Sequence, residues 1–272
     1  STLIEFLKDE IYTQHLRFGK RIKKISEIKD KILINFDDNT NDLVDYIAAA
    51  DGIFSNTRAF FETKKITPKF RNAIAIRTIL KSSLKLDFDD KNINLIMGSN
   101  THLVIYPVNK IKELNLVCIV REKNFDPNNI KKIIDEKILN QNQNLELLFQ
   151  GNLKSLPLYS TKTSKPSSNK KVFYLGDAFH GFLPSMAQGA SQSVESAYEF
   201  FNLLKNNSQN VHNIYFKNRS ERVKIIKKRS DFNFFIFHIS NSFITKIRNI
   251  FLKQLVKNKK FLKNYLGKVY KN

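Results

Sequence analysis

Cysteine is almost absent from this chain, and acidic charge is heavily outnumbered. The one cysteine, Cys118, lies inside the apolar run 116–120. No disulfide framework can form within the chain, which fits a reducing, cytoplasmic setting. Long apolar runs are missing too: the densest, Phe234-Phe235-Ile236-Phe237, is far too short to span a bilayer. No basic, apolar and cleavage regions follow one another at the start, where STLIEFLKDEIYTQ reads as an amphipathic helix. Glycine is scarce as well. The eight are Gly19, Gly52, Gly98, Gly151, Gly176, Gly181, Gly189 and Gly267. No two of them are spaced to build the G-x-G-x-x-G loop that cradles a dinucleotide pyrophosphate.

The shortage of acids leaves a net charge of +21, and beyond Leu204 seventeen Lys or Arg face only Glu221 and Asp231. Nucleic acid, an anionic membrane surface and a lysine-rich composition without a specific partner all fit such a balance. No nucleic-acid fold signature or stacking platform is visible, so no specific nucleic acid is expected. Lys, Asn, Ile and Phe abound throughout, which makes general composition the first reading. A weak peripheral membrane contact through 206–272 is the second, because residues 232–244 mix aromatics with basic helices. If helical, that segment is expected to supply core contacts first.

What is present supports one large or two modest domains. A helix near 2–14 leads to strands near 21–27, 31–36 and 43–49. Strand-like runs follow at 73–79, 94–97, 103–107 and 114–120, with a helical interval near 127–140. The pattern predicts a mostly antiparallel sheet inserted between two parts of another domain. Residues 162–171 form a polar loop, a strand follows at 172–175, and 206–272 is helix-prone.

Three segments carry chemistry. In the first, YLGDAFHGFLPSMAQGASQSVESA at 174–197, an apolar strand meets Gly176-Asp177, a loop bearing Pro184, and Gln188-Gly189. Val194, Ala197, Tyr198, Phe201 and Leu204 then recur at offsets 0, 3, 4, 7 and 10, one face of a helix starting near 188–191. Small residues at that start, Ala187, Gly189 and Ala190, let a polar ligand approach free N–H groups where the dipole favours negative charge. Asp177 sits where a carboxylate can accept hydrogen bonds from sugar-like hydroxyls. Taken singly, Gly176 and Gly189 read as turn and cap glycines, with Asp177 a cap. The second segment, DYIAAADGIFSNTR at 45–58, is a strand followed by Asp51-Gly52, Ser55 and Arg58. In the third, His102 and Tyr106 of HLVIYP share one face of a strand. The plain alternative there is packing, with His102 satisfied by a backbone carbonyl.

Together these segments resemble the FAD-dependent aromatic hydroxylases, the single-component flavoprotein monooxygenases, over essentially the whole chain. The first is similar to their G-D-A-x-H-x-x-x-P-x-x-x-Q-G motif, although the acidic pair that usually follows is Glu195-Ser196 here. The second is similar to D-x-x-x-x-A-D-G-x-x-S-x-x-R, and the third to the H-x-x-x-Y-P strand of salicylate, 3-hydroxybenzoate and 6-hydroxynicotinate hydroxylases. The resemblance implies an α/β (α+β) fold: an incomplete FAD-binding Rossmann-like domain, an inserted β-sheet substrate domain and C-terminal helices. Its parts would be a partial FAD-binding domain (1–60), the substrate sheet (61–160), the returning FAD-binding segment (161–205) and a basic helical region (206–272).

It further implies FAD and NAD(P)H as cofactors, O2 and a small phenolic or N-heteroaromatic acid as substrates, and hydroxylation through a flavin hydroperoxide. Asp51, Gly52, Arg58, Gly176, Asp177, Pro184, Gln188, Gly189 and Ala190 would bind FAD. His102 and Tyr106 would serve catalysis, with the imidazole assisting deprotonation of the ring hydroxyl. No metal is implied. Arg58, Arg71, Arg77 and Arg121 are the candidates for a substrate carboxylate. A ubiquinone-pathway-type hydroxylase, or a non-catalytic truncated fragment or basic surface-binding protein, are the alternatives. Because the Gly-rich loop is missing, the sequence looks like the C-terminal two-thirds of such an enzyme. The polypeptide alone is then expected to bind FAD weakly or not at all, unless a separate ADP-binding segment joins it.

Overall fold

The computed structural model describes residues 2–62, 67–81, 89, 91–109, 113–161, 165–206 and 208–270, so part of the predicted polar loop (162–164) lies outside them. In chain order come α1 (Thr2–Asp9), β1 (Ile22–Ile28), β2 (Lys31–Phe36), β3 (Asn41–Val44), β4 (Ile47–Ala49) and α2 (Asn56–Phe61). Next are β5 (Lys69–Lys81), β6 (Asn94–Gly98), β7 (Thr101–Val108), β8 (Glu113–Arg121), α3 (Ile130–Ile134) and β9 (Lys154–Ser160). β10 (Val172–Tyr174), α4 (Gly189–Lys205), α5 (Val211–Phe237), α6 (Ser242–Leu255) and α7 (Lys259–Tyr270) complete it. The opening helix is shorter than its predicted span, ending at Asp9. The single strand predicted at 43–49 is two: β3 pairs antiparallel with β2, while β4 pairs parallel with β10.

Strands β6-β7-β8-β5-β9 form one antiparallel sheet. Alternation along its strands sends Ile74, Ile76, Leu103, Ile105, Leu116 and Cys118 to one face, where they pack on Ile130, Ile133, Ile138 and Leu148. On the other face Ala73, Ala75 and Ile119 meet Leu183 and Phe234. A second core joins Ile32 of β2 to Ile47, Val172, Phe173, Tyr174, Tyr215 and Phe216. The inserted sheet therefore leaves the chain after β4 and returns to it at β10. Helix α5, roughly 40 Å long at 1.5 Å per residue, reaches both cores, with Tyr215 and Phe216 in one and Phe234 in the other.

Helix α4 begins within the predicted window, but its apolar face is the open one. Val194 and Tyr198 are each 65 % exposed and Phe201 57 %. The buried face carries Gln192 and Ser196 instead. It tolerates burial because Arg219 of α5 donates to Glu195 at 2.7 Å and to Gln192 Oε1 at 2.7 Å, while Ser196 donates to the Gln192 carbonyl. Of the aromatic stretch near 232–244, Phe234 is in the core, whereas Phe232, Phe235, Phe243 and Ile244 are exposed. Among the described residues, no helix is long and apolar enough to cross a membrane.

Candidate functional site

The parallel pair β4/β10 sets the site. Ala49 lies opposite Tyr174, and the Leu175 N–H donates to the Ala49 carbonyl at 2.8 Å. Asp51-Gly52 and Gly176-Asp177 consequently leave the carboxyl ends of neighbouring strands, the edge where open α/β sheets hold ligands.

The two carboxylates are used differently. Asp51 accepts the Thr57 N–H at 2.9 Å, at the entry to α2, where Ser55 Oγ accepts the Arg58 N–H at 3.0 Å. Burial would raise the Asp51 carboxyl, but hydrogen bonds from Ser55 and Thr57 outweigh it and hold it below its ordinary value. Gly52, at φ +82°, makes the turn between them possible. Asp177 is exposed and, among the described residues, has no polar partner. Partial burial raises its carboxyl.

Gly176 adopts φ +54°, and a Cβ there would lie 3.0 Å from Ser193 Cβ and closer still to its Oγ. Strand β10 thus passes against the first turn of α4. That turn starts beyond Pro184, an Ala187 at φ +51° and a buried Gln188, with open space at Gly189 and an exposed Ala190. Its N–H groups ahead of Gln192, which donates to the Gln188 carbonyl at 2.9 Å, have no intrahelical acceptor. Arg58 is turned inward: it donates to the Ala178 carbonyl at 2.9 Å and the Lys165 carbonyl at 3.4 Å, and its guanidinium stacks over Tyr174. It ties the two motif loops together from inside.

His102 and Tyr106 do share a sheet face. His102 is opposite Ile119, so it lies on the face that Leu183 and Phe234 cover, and Tyr106 is opposite Asn115. His102 is 1 % exposed, and its Nδ1 is 3.2 Å from Nε2 of His238, whose own Nδ1 is 2.6 Å from the Phe234 carbonyl. Nε2 of His238 also lies 3.3 Å from the Ile119 carbonyl, so both of its nitrogens face backbone acceptors. Burial lowers both imidazoles, and the His238 ring beside His102 and the Arg121 charge beside His238 add to it. Of the four candidate arginines, Arg58 is committed as described, Arg71 to Ser160 and Asp231, and Arg121 to the ring of Phe234. Arg77 is exposed and, through Val117 and Val104, shares the face of His102 and Tyr106.

Two participants had no signal in their own segments: His238 lies 136 residues from His102, and Arg219 packs under α4 from another helix. His180, the histidine of the 174–197 motif, is buried with neither ring nitrogen partnered among the described residues. Burial, and the Arg219 charge beside it, lower His180 to about 4 from 6.5. Below about 6.5 an unfolded histidine takes a proton that the folded one refuses, so stability is lost as pH falls toward about 4. Thermal unfolding recorded from pH 7 to pH 4 should show this fall, and His180→Asn should flatten part of it. An unchanged slope in the variant would exclude His180 as a contributor.

A family model described as the FAD binding domain matches residues 15–229. The chain belongs to this family. It is 23 % identical over 235 residues to 6-hydroxynicotinate 3-monooxygenase of Bordetella bronchiseptica, covering 80 % of this chain and 60 % of that one. To a salicylate hydroxylase of Pseudomonas putida it is 21 % identical over 224 residues, covering 73 % and 52 %. The chain thus spans about half to three-fifths of the length of these curated relatives. Among solved structures, Klebsiella pneumoniae HpxO complexed with FAD and uric acid superposes with a TM-score of 0.83 at 14 % identity, over 98 % of this chain and 70 % of that one. A salicylate hydroxylase substrate complex gives 0.78 at 17 % identity, over 99 % and 74 %. The expected lineage of FAD-dependent aromatic hydroxylases, and the fold expected from it, are both borne out.

The residues fit one side of that cofactor. A free carboxylate at Asp177, an open first turn at Gly189 and Ala190, and the orphaned nitrogens of His180 are what a hydroxylated chain and an electron-rich ring would meet.

Proposed function

We propose that this chain supplies the ribityl and isoalloxazine side of an FAD site, and the substrate sheet, of an NAD(P)H-using monooxygenase acting on a small phenolic or N-heteroaromatic acid. One observation carries the reading: the cofactor loop rests on the substrate face. Leu183, directly before Pro184, packs against Ala73, Ala75 and Ile119, and its carbonyl accepts from Ser230 of α5.

Bound FAD would supply electron transfer from the nicotinamide and activation of O2. The chain's own groups do the rest. Asp177 accepts hydrogen bonds from ribityl hydroxyls, and Gly176, Gln188, Gly189 and Ala190 let the first N–H groups of α4 face the ring edge that becomes negative. Asp51 and Gly52 shape the neighbouring loop, and Arg58 holds the two loops in register. With Nδ1 engaged by His238, His102 offers Nε2 to a ring hydroxyl. Burial holds it neutral at pH 7, so it polarises the hydroxyl through a hydrogen bond and does not take its proton, and Tyr106 lies on the same face to orient the ring. Arg77 is the candidate for the carboxylate, and Asn115 Nδ2, buried beside Tyr106 and unpartnered among the described residues, is a second donor there. The adenine-diphosphate side calls for a strand–loop–helix unit. The open apolar face of α4, and β4 with β10 as its one strand partner among the described residues, support docking of that unit there.

The test joins the chain to a G-x-G-x-x-G unit and follows substrate-dependent NAD(P)H oxidation with chromatographic detection of hydroxylated product. Salicylate-like and hydroxynicotinate-like acids should be turned over. An FAD-loaded, folded fusion that hydroxylates no aromatic acid would overturn the reading and favour a non-catalytic role. In the same protein, Asp177→Ala should weaken FAD binding about tenfold or more, the worth of a hydrogen bond to a charged group, with little change in unfolding temperature. Fluorescence titration of FAD reads it, and an unchanged Kd would remove Asp177 from the site.

A further inference from the structure

We propose that the outer face of α6 docks this protein peripherally on an anionic lipid surface, a role independent of the oxygenase reading. Phe243, Ile247, Ile250 and Phe251 fall at offsets 0, 4, 7 and 8, which aligns them as one stripe of the helix. They are 70 %, 39 %, 60 % and 60 % exposed. The inner face carries half-buried Leu252 and Leu255 together with Arg248, which is buried and donates to the Ile236 carbonyl at 3.2 Å and to Asn249. A helix on the surface of a water-soluble protein keeps its outer face polar, and α6 does not. Arg248 anchors α6 with this second apolar stripe facing out.

Charge decides what covers that side. Lys246 and Lys253, both exposed, are two turns apart and border the stripe along one flank. Residues 232–272 contain nine Lys or Arg and no Asp or Glu, and exposed Lys257, Lys259 and Lys260 lie just past the helix. An apolar stripe about 12 Å long, set in an uninterrupted positive field, matches an interface that is negative at its surface and apolar just beneath. Anionic phospholipid headgroups over acyl chains have that layering. No helix among the described residues can cross a bilayer, so the contact is one of a helix lying in the headgroup plane.

Flotation of the full chain with phosphatidylcholine vesicles, with and without about a quarter phosphatidylserine, tests this. The protein should float with the phosphatidylserine vesicles and be released by high salt. Lys246→Gln and Lys253→Gln should each lower partitioning about fivefold, the equivalent of about 1 kcal/mol per lysine. Phe243→Ser with Phe251→Ser should abolish it, with helicity and unfolding temperature unchanged because neither ring is in the core. No flotation of the natural chain, or equal flotation of the double phenylalanine variant, would overturn the proposal. So would self-association by light scattering that the same pair abolishes without any vesicle binding, since a second copy would then be the occupant.

Discussion

Replacing Arg219 by leucine is expected to lower the unfolding free energy by about 3 kcal/mol. Its guanidinium is 1 % exposed and lies between Glu195 and Gln192, with Glu199 at 3.6 Å. Leucine fills much of the same space, but it leaves Gln192 Oε1 and part of the Glu195 carboxylate without donors in a buried seam. Arg222 still holds Glu195 from 2.8 Å, which keeps the loss at the lower end of the range for broken buried pairs. Chemical denaturation measures the loss. Adding Gln192→Leu should recover part of it, because the orphaned acceptor is then removed as well. Equal midpoints for the single variant and the natural chain would refute the account. The site should respond too, since Gln192 Nε2 also reaches Gln188 Oε1 and so helps to set the first turn of α4.

Gly176→Ala is expected to cost about 2–5 kcal/mol and to disturb the cofactor loop together with the fold. Two terms add: a left-handed backbone conformation, at about 1–2 kcal/mol, and overpacking against Ser193, at about 1–3 kcal/mol. Ser193→Gly in the same chain relieves the second term and not the first. The double variant should therefore recover roughly half the loss. Full recovery would mean that φ at position 176 carries no strain, and no recovery would mean that the close contact is relieved by movement elsewhere.

The loops of the site were legible because turn chemistry is local. Gly52 and Gly176 stand where the backbone needs positive φ, and Asp51 and Asp177 follow strands read from short apolar runs. The inserted sheet was legible from alternation. β9 was not: Pro157 argues against a strand, and it is tolerated because β9 lies at the sheet edge. Nor could spacing say which face of α4 would be buried. Periodicity finds an apolar stripe, but whether that stripe or the polar one turns inward depended on Arg219, a residue of another helix. The His102–His238 contact was hidden for the same reason, since pairing between distant segments leaves no trace in either one. Asp51 was read for its ligand chemistry, while in the structure its carboxylate is engaged at the entry to α2.

The short parallel pairing of β4 with β10 also constrains the order of assembly. Its partners, Ile47 and Val172, are ~125 residues apart, and three residues per strand cannot repay closure of so long a loop from an open chain. In the intervening antiparallel sheet β6, β7 and β8 are joined as successive hairpins, and β5 and β9 close on them over shorter separations than β4 on β10, so it can form first. Once folded, it brings both ends of its own insertion close together, so the two halves of the cofactor cradle meet only late. A ribosome-bound chain that has not yet emerged past β10 can complete its sheet but not its flavin side.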